Sequence, residues 1–185
     1  MSATADEARN VQGEAECLFD QAAVDEAVQG MAMRLNSMLA GEETVALCVM
    51  TGAVVLAGRL LPLIDAPVLL DYVHATRYRE RTTGGEIDWI NRHRTPHAGR
   101  TVLNIDDILY EGYTLEAIAR HCAREKAARV ITTVLVEKQH DRGCGFSADI
   151  VGLTVPDRYV FGCGMDYMGW LRNAPGIYAV AEVRE

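Results

Sequence analysis

Two adjacent carboxylates, Asp106 and Asp107, end the apolar run Val102-Leu103-Asn104-Ile105 and lead into Ile108-Leu109-Tyr110-Glu111-Gly112-Tyr113-Thr114-Leu115. Paired acids where a strand ends have two obvious uses: they hold a metal ion or they grip sugar hydroxyls. Gly112 and Thr114 open the next helical stretch, where free backbone N–H groups and a hydroxyl make a natural phosphate cradle. Taken singly, each of these residues fits an acidic helix-cap turn equally well. Acids, glycine and threonine in one strand-to-helix junction point to a phosphosugar site.

Other reactive residue types read more plainly. By spacing, Lys138 is a strand-end lysine and Tyr159 a core aromatic. His93 and His97 flank Thr95-Pro96 in a polar stretch and read as solvated loop residues, not metal ligands. The five cysteines are scattered without a C-x-x-C pair, so neither a disulfide framework nor a zinc site is expected, and all are taken as reduced. The stretch from Tyr78 to Gly85, YRERTTGG, is either an exposed turn or a lid that closes over a site.

The elements that must carry these residues alternate. Val24, Val28, Met31, Leu35 and Leu39 recur at the spacing of one helical face. The run Val45 to Met50 is a buried strand ending in Thr51-Gly52, and Ala53 to Leu61 follows as a helix. Further strands are expected at Pro67–Tyr72, Thr101–Ile105 and Val130–Val136, with a helix from Leu115 to Ala127 between the last two. Short apolar pieces follow at Asp149–Val155, Tyr159–Phe161 and Ile177–Val180. Alternating strands and helices, with continuously apolar strands, imply an α/β fold: an open, mostly parallel sheet flanked by helices. In such sheets ligands bind beyond the carboxyl ends of the strands, which is where the paired acids fall.

Composition narrows the function classes. The chain has 185 residues and a net charge of −8, against the basic stripe of a general nucleic-acid binder. At 49% hydrophobic residues it has ample material for one core, yet no run approaches the roughly 18 apolar residues of a membrane span. The polar opening segment lacks the pattern of a signal peptide, so a cytoplasmic location is expected. Residues 1–16 are expected to be a flexible terminus and 17–185 a single domain.

Four stretches carry a resemblance. Ile105-Asp106-Asp107-Ile108-Leu109 with Gly112-Tyr113-Thr114-Leu115 resembles the phosphoribosyl-pyrophosphate motif of type I phosphoribosyltransferases. Val49-Met50-Thr51-Gly52-Ala53 is similar to that family's pyrophosphate loop, in which the bond that can be cis would be Met50–Thr51. Leu135-Val136-Glu137-Lys138, running on to Arg142 and Ala148-Asp149-Ile150-Val151-Gly152, resembles the purine-contacting segment. Val155-Pro156-Asp157-Arg158-Tyr159-Val160-Phe161-Gly162, with Met165-Asp166-Tyr167 and Leu171-Arg172, looks like the closing part of the purine pocket. That last string is specific to the hypoxanthine-guanine branch, and the similarity runs from about Leu18 to Val180.

The resemblance implies a type I phosphoribosyltransferase fold: a core from about 40–150, and a small hood from about 17–40 and 151–185. It also implies roles. Asp106 and Asp107 meet the ribose hydroxyls, directly or through Mg²⁺; Glu111, Gly112, Tyr113 and Thr114 hold the 5′-phosphate. Thr51, Gly52 and Arg172 face pyrophosphate, and Asp166 helps place a second Mg²⁺. Lys138 donates to the purine's exocyclic oxygen, Tyr159 stacks on the base, and the Val160 backbone contacts its other edge. Tyr78–Gly85 matches the family's lid. The partners implied are phosphoribosyl pyrophosphate and a purine base, with hypoxanthine, guanine and xanthine not distinguished; a homodimer or homotetramer is expected, and neither nucleic acid nor membrane.

One position departs from the pattern. Most relatives carry aspartate where this chain has Tyr110, and that aspartate is assigned as the base for the purine ring nitrogen. A neutral tyrosine donates a hydrogen bond there instead of taking a proton. Two functions follow as expectations: a hypoxanthine/guanine phosphoribosyltransferase slowed by the loss of its base, or a nucleotide-binding protein on the same fold. Glu111 is a second departure, where many relatives have threonine.

Overall fold

The computed structural model describes residues 3–77 and 87–181; the loop Tyr78–Gly85, read above as a turn or a lid, lies outside the described residues. Six strands form the main sheet in the order β4-β3-β2-β5-β6-β7: β2 (Thr44–Met50), β3 (Val68–Arg77), β4 (Ile87–Asn91), β5 (Thr101–Leu109), β6 (Arg129–Gln139) and β7 (Ile150–Pro156). All neighbours are parallel except β3 and β4. β2, β5 and β6 are central and almost wholly buried, as their unbroken apolar runs require. The helices are α1 (Ala5–Glu14), α2 (Gln21–Leu39), α3 (Val54–Leu60) and α4 (Tyr113–Arg124), with a single 3₁₀ turn at Leu61–Leu63. The expected stripe of α2 is buried from Val24 to Leu39.

Three expectations change. The segment expected to fray is a helix: Thr4 caps α1 by accepting from Glu7 N, while the Glu7 carboxylate accepts from Thr4 N. Trp170 Nε1 donates to Ala3 O at 2.8 Å, tying this end to the far end of the chain. The hood is also smaller than 17–40 and 151–185. It consists of β1 (Glu16–Phe19), β9 (Ile177–Ala179) and β8 (Val160–Phe161) in an antiparallel sheet, while α2 packs on β7 and α3 and so belongs with the main sheet. Finally, β5 does not stop at Ile105 but continues to Leu109.

The histidines are not solvated. His97 is 1% exposed, and its ring stacks on His93 with centroids 3.7 Å apart. His93 Nδ1 lies 3.1 Å from Thr95 O, and because a carbonyl only accepts, that nitrogen carries the hydrogen. His93 Nε2 then accepts from His121 Nε2 of α4, 3.2 Å away. Trp89 of β4 covers the group from the side, 4.8 Å from His121. Such a cluster is assembled from residues distant in sequence, so a window around Thr95-Pro96 shows only a polar loop.

Burial, and then the charge His93 and His121 would carry, pushes His97 down to about 4. An unfolded histidine titrates near 6.5, so the unfolded chain takes the proton first as pH falls. The stability carried by neutral His97 is therefore complete above about pH 6.5 and is lost between there and about pH 4. For Asp71, burial works upward but the N–H groups of Thr95, Tyr72 and Arg94 outweigh it and hold the carboxyl at about 2, so it stays ionised through this window. Thermal unfolding should lose about 2 kcal/mol between pH 7 and 5, and His97→Phe should flatten that loss. An unchanged slope in the variant would place the acid sensitivity elsewhere.

Candidate active site

The β2–β5 ladder ends at Cys48↔Ile105, whereas the β5–β6 ladder continues to Leu109↔Glu137. Beyond Ile105 the two central strands therefore part, and the order of connections reverses there: β2 leads outward to β3, and β5 outward to β6. That divergence opens a crevice at the switch point of the sheet. It holds a cavity of about 660 Å³, within the usual range for a small-molecule site. Apart from the lid stretch Tyr78–Gly85, which lies outside the described residues, every residue assigned a role above lines this one cavity.

Asp106 and Asp107 sit inside the extended strand and not at its end. Neighbours on a strand point to opposite faces, yet both carboxylates border the crevice and lie close enough to interact with each other. Asp106 Oδ1 accepts from Asp107 N at 2.9 Å. Burial, and next the charge of Asp107, raises Asp106 well above the usual carboxylate range; burial raises Asp107 too. Among the described residues Arg172 is the nearest cation, with Nη1 3.9 Å from Asp107 Oδ2. Two buried acids with so little compensation favour a further positive charge between them, and an all-oxygen donor set suits a hard divalent cation.

The pyrophosphate loop folds tightly against these acids. The Met50–Thr51 peptide is cis. A Cβ on Gly52 would lie 2.0 Å from Asp107 Oδ2, so no other residue fits without displacing the carboxylate. On the hood side, Arg172 donates to Gly164 O at 2.6 Å and pairs with Asp166 Oδ1 at 2.6 Å. Asp166 Oδ2 in turn accepts from Gly169 N at 2.7 Å. The guanidinium is thus aimed by a carboxylate and a carbonyl at the mouth of the crevice.

After β5 the chain turns through Tyr110-Glu111-Gly112 into α4. Gly112 caps the helix at φ +82°, a conformation that favours glycine, and offers no side chain to the first-turn N–H groups. The loop behind packs closely: Cys144 N donates to Glu111 O at 3.1 Å, and a Cβ on Gly112 would approach Cys144 Sγ to 3.1 Å. Thr114 adds its hydroxyl in the first turn. This is a backbone cradle for an anion at a helix N-terminus. The Glu111 side chain lines both this cavity and a neighbouring one of about 340 Å³.

The base end of the cavity is built from β6 and the hood. Lys138, second to last in β6, is largely buried; burial lowers its pKa while Asp157, 3.9 Å away, opposes that. Tyr159 is half exposed, edge-on to Tyr167 with centroids 5.5 Å apart, and Val160 is buried behind it in β8. Tyr110 presents its ring to Lys138 Nζ at 4.5 Å, and Arg142 Nη2 donates to its hydroxyl at 3.0 Å. Arg142 is also paired with Asp157. Arg142 and Asp157 stand in the sequence only as members of longer strings; nothing in their spacing announces that they pair beside Tyr110.

The sequence pattern of the phosphoribosyl transferase domain family matches residues 14–167. The hypoxanthine-guanine phosphoribosyltransferase of Bacillus subtilis (strain 168) is 30% identical over 161 residues, covering 86% of this chain and 89% of its own. That of Aquifex aeolicus (strain VF5) is 28% identical over 157 residues, covering 84% and 88%. A crystal structure of a hypoxanthine phosphoribosyltransferase from Staphylococcus aureus superposes with a TM-score of 0.87 at 25% identity, over 92% of this chain and 94% of that one. A hypoxanthine-guanine phosphoribosyltransferase from Bacillus anthracis, with HEPES in its active site, gives 0.85 at 28% identity, over 90% and 98%.

Proposed function

The chain belongs to the phosphoribosyl transferase domain family, and from that premise we propose that it serves purine salvage: it transfers the 5-phosphoribosyl group from phosphoribosyl pyrophosphate to hypoxanthine or guanine, giving IMP or GMP and pyrophosphate. One observation carries the reading. A single crevice gathers a backbone anion cradle, two adjacent acids of which Asp107 is buried, a clamped arginine and a largely buried lysine beside exposed aromatic rings. Those groups match the two ends of a phosphorylated sugar donor and a flat oxygen-bearing acceptor.

The reaction breaks the bond from the anomeric carbon to pyrophosphate and forms one to the purine ring nitrogen, through a sugar that becomes cation-like, while the imidazole proton of the base passes to solvent. The Gly112–Thr114 turn anchors the 5′-phosphate, and this binding fixes the sugar for attack. Asp106 and Asp107 lie below the ribose, where negative charge favours the developing cation. Arg172 and the Thr51–Gly52 backbone meet the departing pyrophosphate. Lys138 donates to the exocyclic oxygen, and Tyr159 stacks on the ring beside Val160. Asp106 and Asp107 would meet one Mg²⁺ and Asp166 would help hold a second, each of which when bound would offset charge on the leaving group; among the described residues the three acids form no single cluster. Among the described residues no helix is long and apolar enough to cross a membrane. We place the protein in the cytoplasm, as a homodimer or homotetramer.

A spectrophotometric assay with hypoxanthine, guanine and xanthine in turn, phosphoribosyl pyrophosphate and Mg²⁺ tests this directly. Formation of IMP or GMP is the expected outcome, and no turnover with any base overturns it. Tyr110 favours one second reading, a nucleotide-binding protein with impaired catalysis, which would show GMP binding without turnover. The cradle has its own test. Thr114→Val removes a hydroxyl and keeps the shape, so GMP affinity measured by calorimetry should fall by about 1–3 kcal/mol. Unchanged affinity would reduce the turn to a helix cap.

A further inference from the structure

Tyr110 is held in an unusual ring of cations. Lys138 Nζ lies over its face at 4.5 Å, the Arg142 guanidinium is 5.7 Å from its centroid, and Arg142 Nη2 donates to the phenol oxygen at 3.0 Å. Arginine and lysine carry donors only, so neither can accept the phenol's own hydrogen. His140, edge-on to the ring at 5.0 Å, is no alternative at Nδ1, because that nitrogen already accepts from Arg142 N at 3.0 Å. Asp157 pairs with Arg142 and stands 3.9 Å from Lys138, so both cations are clamped from behind. With an oxygen lone pair taken by Arg142, the hydroxyl hydrogen has no acceptor among these neighbours and is left to the open space that Tyr110 borders, the crevice on one side and the neighbouring cavity that Arg142 lines on the other.

We propose that Tyr110 reads purine nitrogen 7 as a hydrogen-bond donor, and that Arg142, clamped by Asp157, is the positioning residue that holds the phenol in that role. This rests on the purine reading above and names which form of the purine the site prefers. In a purine nucleotide nitrogen 9 carries the ribose, so nitrogen 7 is a bare acceptor and matches the phenol. A free base carrying its proton on nitrogen 7 presents donor against donor, so the site favours the bound nucleotide over that form of the free base. An aspartate at this position would make the opposite choice.

The test compares GMP with 7-deaza-GMP, in which a C–H replaces the acceptor nitrogen and the rest of the molecule is unchanged. Calorimetry on the full chain should give about tenfold weaker binding of 7-deaza-GMP, the loss expected for one hydrogen bond to a donor left unpaired. Tyr110→Phe should bring the ratio of the two affinities close to one. Arg142→Gln should reduce the ratio while leaving Tyr110 in place, a change that loss of packing alone would not produce, since both ligands fill the pocket equally. Equal affinities in the unaltered protein, or a ratio that survives Tyr110→Phe, would overturn the proposal. Absence of any GMP binding would instead overturn the purine reading on which it rests.

Discussion

Asp106→Asn combined with Asp107→Asn is expected to abolish most of the turnover, on the order of a thousandfold, and at the same time to raise thermal stability. The two effects have one cause. Burial lifts both carboxyls above their ordinary range and the charge of Asp107 lifts Asp106 further, while among the described residues Arg172 is the nearest cation, 3.9 Å from Asp107. A carboxyl whose folded pKa is raised costs stability once pH climbs past the unfolded value near 4, and the full cost is reached above the folded value. Asparagine keeps the oxygen that accepts from Asp107 N and removes the charge. The gain in melting temperature over the unaltered protein should therefore be small in acid and grow toward neutral pH. Activity moves the other way, because the anions under the ribose and the divalent cation they attract are lost together. A variant that is no more stable than the parent at neutral pH, or one that retains full activity, would remove the electrostatic role given to the pair.

How far this site could be read from sequence depends on which physical signal carried each part. The buried strands β2, β5 and β6 announce themselves as unbroken apolar runs, and α2 through its stripe from Val24 to Leu39. The acids misled in detail. Charge after Ile105 looks like the end of a strand, yet the ladder to β6 runs on through both aspartates because β2 has already parted and left them a polar crevice. β4 was missed altogether: Ile87-Asp88-Trp89-Ile90-Asn91 is short, lies at the edge, and is paired antiparallel to β3 on one side only. The capping box at Thr4 and Glu7 was legible in principle, but a helix burying only Ala8 has no apolar stripe to call attention to it. The clamp on Tyr110 was beyond reach for another reason. Arg142 reaches the ring from a loop after β6 and Asp157 reaches Arg142 from the segment before β8, and only the assembled sheet brings the two together.

Tyr110→Asp is the second large effect, and it is expected to raise turnover by about tenfold to a thousandfold. If the purine must shed a proton from nitrogen 7 while nitrogen 9 attacks the sugar, a carboxylate there accepts it and a neutral phenol does not; a positioned base contributes about 10²–10⁴. The gain should fall short of that full range. Lys138 and Arg142, which now face the phenol, would close on the new carboxylate and make it a weaker base, and the shorter side chain leaves the base less well packed. Stability should change by only about 1 kcal/mol, since Tyr110 is 42% exposed and what is lost is two exposed cation–ring contacts and one hydrogen bond. The same substitution should also remove the preference for GMP over 7-deaza-GMP, because an ionised carboxylate has no hydrogen to offer nitrogen 7. A fall in turnover would mean that tyrosine makes a positive contribution to the reaction, as a donor or as part of the pocket wall. If neither the parent nor the variant turns over any purine while both bind GMP, the chain is a nucleotide-binding protein that keeps the crevice of its family without the reaction.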